Sequence, residues 1–110
     1  MTSVMIEQSK TGYKSLTFMG HSGKRRFFFE KDMVCASISV LVINTINSIE
    51  KFTDTVMEVS TNEETGFIRV VFEGVLSSEA TVLVDAMIFG LEQISLQYSR
   101  KYCKVEFKEV

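Results

Sequence analysis

Three side chains in this sequence belong to the thiol and imidazole chemistry that works near neutral pH: His21, Cys35 and Cys103. His21 is the only histidine, so a His/Cys mechanism has a single possible base. A free thiol ionises near pH ~8.5, and a helix N-terminus or a neighbouring imidazolium lowers that value, each unit being roughly 1.36 kcal/mol of preference for the thiolate. A thiolate beside an imidazole suits attack on a peptide carbonyl, with the imidazole then protonating the leaving amine. One imidazole and two thiols fall short of a structural zinc ligand set and of a disulfide framework. No metal or cofactor is therefore expected, and a reducing, cytoplasmic setting is the simpler reading.

The two thiols differ in setting. Apolar residues recur at helical spacing from Met33 to Phe52, and Asp32 before them reads as an N-cap. Cys35 then falls in the first helical turn, where unpaired backbone amides favour a thiolate and could also serve as oxyanion donors. Cys103 alternates with Val105 and Phe107 against Lys104, Glu106 and Lys108, which places it on the apolar face of a strand. His21 follows Gly20 at the end of a predicted strand, 14 positions before Cys35. By pattern alone, a cysteine near a helix start is more often a small buried hydrophobe than a nucleophile, and a histidine after a strand is more often a solvated loop residue.

The elements that must position these groups are legible in outline. Val4 to Gln8 and Tyr13 to Met19 read as a hairpin around Lys10, Thr11 and Gly12. The loop that follows holds Gly23, a basic run from Lys24 to Arg26, and Phe27, Phe28 and Phe29. The first helix presents Val34, Ile38, Leu41, Val42, Ile49 and Phe52 on one side and Ser37, Asn44, Asn47, Ser48 and Lys51 on the other. Val56 to Ser60 and Phe67 to Glu73 read as a second hairpin. A second helix runs from about Glu79 to Ser99, capped by Ser77 or Ser78, with its main stripe on Ala80, Leu83, Val84, Met87, Leu91, Ile94 and Tyr98. The order ββαββαβ predicts an α+β two-layer sandwich, one domain over residues 1–110, with both helices on one face of a mainly antiparallel sheet.

The second helix carries another apolar row, Val82, Phe89 and Leu96, nearly opposite the first. A domain this small is not expected to cover both faces, so a homodimer through that row is predicted. The net charge of −2 supplies no field for a nucleic-acid backbone, and nucleic acid is not an expected partner. The apolar-rich stretch Val82 to Leu96 is interrupted by Asp85, Glu92 and Gln93; neither a membrane span nor a secretory leader is expected.

Gly20-His21, a glycine-containing loop, and then Asp32-Met33-Val34-Cys35-Ala36 followed by Ser39 resemble the ribosomal-processing cysteine protease family, Prp. The likeness spans the whole chain in element order and length, and its specific part lies between residue 20 and about residue 50. It implies an endopeptidase that removes the N-terminal extension of a large-subunit ribosomal protein during ribosome assembly, with Cys35 as nucleophile, His21 as general base, and a homodimeric state. Asp32 and Ser39 match further motif positions: Asp32 could cap the helix, and Ser39, one turn below Cys35, could steady the thiol or the substrate. Gly20 and Gly23 would hinge the loop, and Phe27, Phe28 and Phe29 read either as a substrate lid or as core and loop residues. Ser22 replaces the family's usual alanine, the loop is longer, and Glu30 stands where a glycine is usual. Those departures keep open a catalytically silent relative that binds a peptide or serves as a scaffold. A thiol redox protein using Cys35 and Cys103 lacks the Cys-x-x-Cys spacing.

Overall fold

The computed structural model describes residues 2–20, 29–98 and 103–110. Its elements are β1 (Thr2–Ser9), β2 (Gly12–Met19), α1 (Phe29–Phe52), β3 (Met57–Asn62), β4 (Phe67–Phe72), α2 (Ser78–Tyr98) and β5 (Cys103–Glu109). The five strands form one sheet in the order β3-β4-β2-β1-β5. Every pairing is antiparallel except that of β1 with β5. The expected ββαββαβ two-layer architecture is the one observed.

Alternation along the strands sends one row toward the helices. Val4 lies opposite Phe18, Ile6 opposite Leu16, and Leu16 opposite Val70, all buried. Helix α1 lays Val34, Ile38, Val42, Ile46 and Ile49 on this row, and α2 adds Ala80, Val84, Met87, Ile88 and Leu91, so that a single core joins both layers. Each such side chain, fully buried, contributes about 1.5–3 kcal/mol before conformational entropy is set against it. The helices approach closely where Gly90 faces Leu41: a Cβ on Gly90 would lie 2.7 Å from Leu41 Cδ2. On the opposite sheet face, Arg69 donates to Thr17 Oγ1 at 2.7 Å and to Glu7 Oε1 at 3.4 Å, and Ser15 donates to Glu7 as well. The Ser15 hydroxyl holds the Glu7 carboxyl below its ordinary range; Arg69 assists, and the smaller effect of burial opposes.

Two details of the helices correct the sequence reading. The first helix begins at Phe29, not after Asp32, because Phe29-Glu30-Lys31 contains neither proline nor glycine and continues the helical run upstream. Phe52, expected on the buried stripe, is 69% exposed at the C-terminal end of α1, while Thr45 and Ile46 take buried positions instead. There the last turn is closed by Thr53, whose backbone N–H and Oγ1 both donate to Ile49 O at 3.1 and 2.6 Å.

Helix α2 starts as expected, Ser77 Oγ accepting from Ala80 N at 3.2 Å. Its second row is uncovered in the single chain: Val82, Phe89 and Leu96 are 62%, 63% and 71% exposed. The segment Met33–Phe52 of α1, with mean hydropathy 1.5, is long and apolar enough by composition to cross a membrane. In this fold that apolarity includes the stripe packed on the sheet.

Candidate active site

The registers bring one end of each strand together. Ser3 lies opposite Met19, Met19 opposite Phe67, Asn62 opposite Phe67, and Thr2 opposite Cys103. The chain leaves β2 at this end and enters α1 after it, so Cys35, in the second turn of α1, belongs to the same end of the sandwich.

Gly20 is tied down here. Its N–H donates to Gly66 O at 3.0 Å, joining the exit of β2 to the turn between β3 and β4. Gly66 has a φ of +70°, and a Cβ at that position would stand 3.3 Å from the Cα, C and O of Gly20. Glycine at 66 thus serves both the left-handed turn and the close approach. The consequence is positional: the exit of β2 at Gly20 is fixed against the β3–β4 turn. His21 itself, Ser22, Gly23, the basic run, Phe27 and Phe28 lie outside the described residues, as does any gating role assigned to them. Phe29 opens α1.

Cys35 is half-buried, with a free thiol. Because α1 begins at Phe29, Cys35 is the seventh residue of the helix and not the third. The unpaired amides of a helix start belong to its first turn, and the dipole's influence falls off over the same distance. Cys35 therefore lies beyond the first turn, where those amides and the dipole would act. Asp32 lies inside the helix and is not its N-cap.

Ser39, one turn further along, is exposed and lines a groove of about 410 Å³ between α1 and the β3–β4 hairpin. Ile43 and Asn47 extend the helical wall; Val59 and Thr61 form the strand wall, and Gly66 closes the end shared with Gly20. Cys35 precedes Ser39 by four residues, about 6 Å of helical rise, on the same side of α1. Ser39 thus joins the helix turn that follows the half-buried thiol to the groove.

The other thiol is placed as expected. Cys103 is fully buried, its Sγ 3.9 Å from Leu91 O. Burial chiefly, and then the charge of a Cys35 thiolate, push its pKa up. It is a core thiol that stays protonated. Among the described residues no group of three or more His, Cys, Asp or Glu could hold a metal ion.

Several contributors escaped the sequence reading. Gly66 reads there only as a turn residue, and Ile43, Val59 and Thr61 carry no signal of a shared groove because they come from separate elements. At the other end of β2, away from the site, the Tyr13 hydroxyl donates to Asp85 at 2.5 Å, and burial, reinforced by that carboxylate, pushes its pKa up to about 12.

Against solved structures, the chain matches the essential ribosomal processing protease Prp of S. aureus in complex with a substrate peptide, with TM-score 0.86 and 19% identity, covering 98% of this chain and 100% of that one. The same protease with a covalently linked product peptide matches with TM-score 0.84 and 20% identity, at the same coverage. SMU.848 of Streptococcus mutans matches with TM-score 0.86 and 19% identity, covering 100% of this chain and 96% of that one. At such identities the structures speak for the fold. No curated protein matches the sequence. The family model described as cysteine protease Prp matches residues 1–104, nearly the whole chain and the full span that holds Cys35, Ser39 and the groove, and the protein thus belongs to the Prp cysteine protease family.

Proposed function

We propose that this protein is an endopeptidase that removes the N-terminal extension of a large-subunit ribosomal protein, with Cys35 as nucleophile and His21 as general base. The observation that carries the reading is a half-buried Cys35 one helical turn before Ser39, which lines a groove reaching Gly66 and so its contact with Gly20, in a member of a cysteine protease family whose single imidazole, His21, follows Gly20 in sequence. The S. aureus relative has been crystallised with a substrate peptide and with a covalently linked product peptide, which supports acyl transfer through a covalent intermediate.

In the proposed reaction the imidazole takes the thiol proton and the Cys35 sulfur attacks the scissile carbonyl. The tetrahedral intermediate collapses as the imidazolium protonates the leaving amine, giving a thioester and the free C-terminal product. Water, deprotonated by the same imidazole, then hydrolyses the thioester. Since Cys35 lies beyond the first turn of α1, most of the activation of its thiol falls to His21. The protein acts in the cytoplasm as a homodimer through Val82, Phe89 and Leu96, the exposed row of α2.

The decisive assay incubates a precursor ribosomal protein with wild type, Cys35→Ala and His21→Ala. Cleavage by wild type alone supports the reading; no cleavage by wild type leaves a silent, peptide-binding relative. For the assembly, Phe89→Lys is expected to sediment as a monomer, and a wild-type protein already monomeric at micromolar concentration would refute the interface.

A further inference from the structure

Strand β4 enters the sheet beside Gly66 and leaves it at Phe72, so the end of α1, the start of β3 and the passage from β4 to α2 meet at the end of the sandwich away from the Gly20–Gly66 contact. There Phe52, Val56 and Val75 line a hollow of about 330 Å³ together with Asp54, Glu73 and Glu79. The three apolar residues are 69%, 59% and 67% exposed. No lysine or arginine lines the hollow, and among the described residues none of its three carboxylates forms an ion pair. Its walls are held by the backbone: Glu73 N donates to Val56 O at 2.9 Å, and Thr53, which closes α1 on Ile49 O, also accepts from Thr55 N at 3.2 Å. On the outer side Lys51 Nζ stands 5.9 Å from the centroid of the Phe52 ring, which thus turns its face to an ammonium.

An apolar floor with an acidic rim fits one kind of side chain closely. Lysine and arginine lay aliphatic stems on apolar surface and keep a cationic head at its margin. Stems on Phe52, Val56 and Val75 would bring their heads to Asp54, Glu73 and Glu79, whereas an acidic segment would be repelled. We propose that this hollow is a second docking site for the ribosomal-protein substrate, taking a lysine- and arginine-rich segment of its mature part. The identity of the partner rests on the endopeptidase reading; its chemistry follows from the substrate class, because a protein that holds RNA neutralises phosphates with such side chains. Phe52 lies 17 residues beyond Cys35 on the same helix, about 25 Å, which an extended peptide crosses in about seven or eight residues. The docked segment therefore stands well downstream of the scissile bond, and the acidic rim draws it in by an attraction that salt weakens.

The test uses full-length Cys35→Ala protein and the fluorescein-labelled mature ribosomal protein, which has no extension left to offer the thiol. Anisotropy is expected to show saturable binding that weakens as salt rises from about 50 to about 500 mM. Binding should fall about tenfold or more in protein also carrying both Asp54→Lys and Glu73→Lys, and several-fold with Phe52→Ala. The same change in net charge placed on β5, at the other edge of the sheet, by Glu106→Lys with Glu109→Lys should leave it within about twofold. Absence of binding, an equal loss in the β5 control, or binding that either Phe52→Ala or the Asp54 and Glu73 reversals leave unchanged would each overturn the site. Precursor cleavage separates this from the parent reading. Cleavage with KM unchanged by the Asp54 and Glu73 reversals overturns the docking site alone, whereas binding of the mature protein that those reversals abolish, without any precursor cleavage by wild type, overturns the endopeptidase and leaves the docking site standing.

Discussion

The contact between Gly20 and Gly66 can be tested by a pair of substitutions. Gly66 and Gly74 have nearly the same backbone, φ +70° and +73°, but a Cβ on Gly66 would meet three backbone atoms of Gly20 at 3.3 Å, whereas one on Gly74 meets nothing within 4 Å. Alanine in the left-handed region costs about 1–2 kcal/mol, partly offset by about 0.4–1 kcal/mol from the reduced freedom of the unfolded chain. Gly74→Ala should therefore lose about 0.5–1 kcal/mol. Gly66→Ala carries the same loss and must also push two backbones apart by a few tenths of an ångström, against a hydrogen bond of net worth about 1 kcal/mol. We expect it to be the worse by about 1 kcal/mol. For 110 residues the unfolding entropy is about 0.23 kcal/mol/K, so this difference amounts to about 4 °C in Tm by calorimetry. Because the same contact holds Gly20, which precedes His21 in sequence, precursor cleavage should fall further in Gly66→Ala than in Gly74→Ala at a temperature where both are folded. Equal Tm losses and equal activities would refute the claim that this contact holds the end of β2 in place for the site.

Three further outcomes follow from the charges and packing described. Tyr13 should titrate near pH 12 by ultraviolet absorbance; its raised pKa contributes stability that is fully present below about pH 10 and lost as pH rises toward 12, and Asp85→Asn should lower the midpoint. Iodoacetamide at neutral pH should modify Cys35 well before Cys103, with mass spectrometry locating the adduct, because one thiol is half-buried and the other sealed in the core. Gly90→Ala should be near neutral, its helical gain of about 1 kcal/mol offset by displacing Leu41, and should become stabilising in a Leu41→Ala background, a non-additivity readable by urea denaturation.

How far the sequence reading reached depended on whether the information was local. The helix-facing rows and the uncovered row of α2 were legible because period two and seven-residue steps are written within single elements. The start of α1 was not, because Asp32 has the chemistry of a cap and the residues before it adjoin a loop, yet nothing in Phe29-Glu30-Lys31 opposes a helix. Phe52 keeps the helical period of the buried stripe but lies at the end of α1, where its side chain stands exposed. Cys35 and Ser39 were found as motif residues on one helix. The groove beside them was not, since Ile43 and Val59 meet only through tertiary packing, and Gly66 reads as an ordinary turn glycine until Gly20 is placed against it.

The parallel pairing of β1 with β5 joins the strand at Thr2 to one beginning at Cys103. A growing chain can make the β1–β2 hairpin as soon as that hairpin is synthesised, but the other side of β1 stays without its partner until β5, Cys103–Glu109, has been made. During that interval β1 is a bare edge of alternating apolar residues, Val4 and Ile6 among them, open to the wrong partner. The charged strand β5 therefore has a second task besides completing the core. It ends the period in which a half-made chain can aggregate, and premature truncation before Cys103 would leave a product whose defect is insolubility.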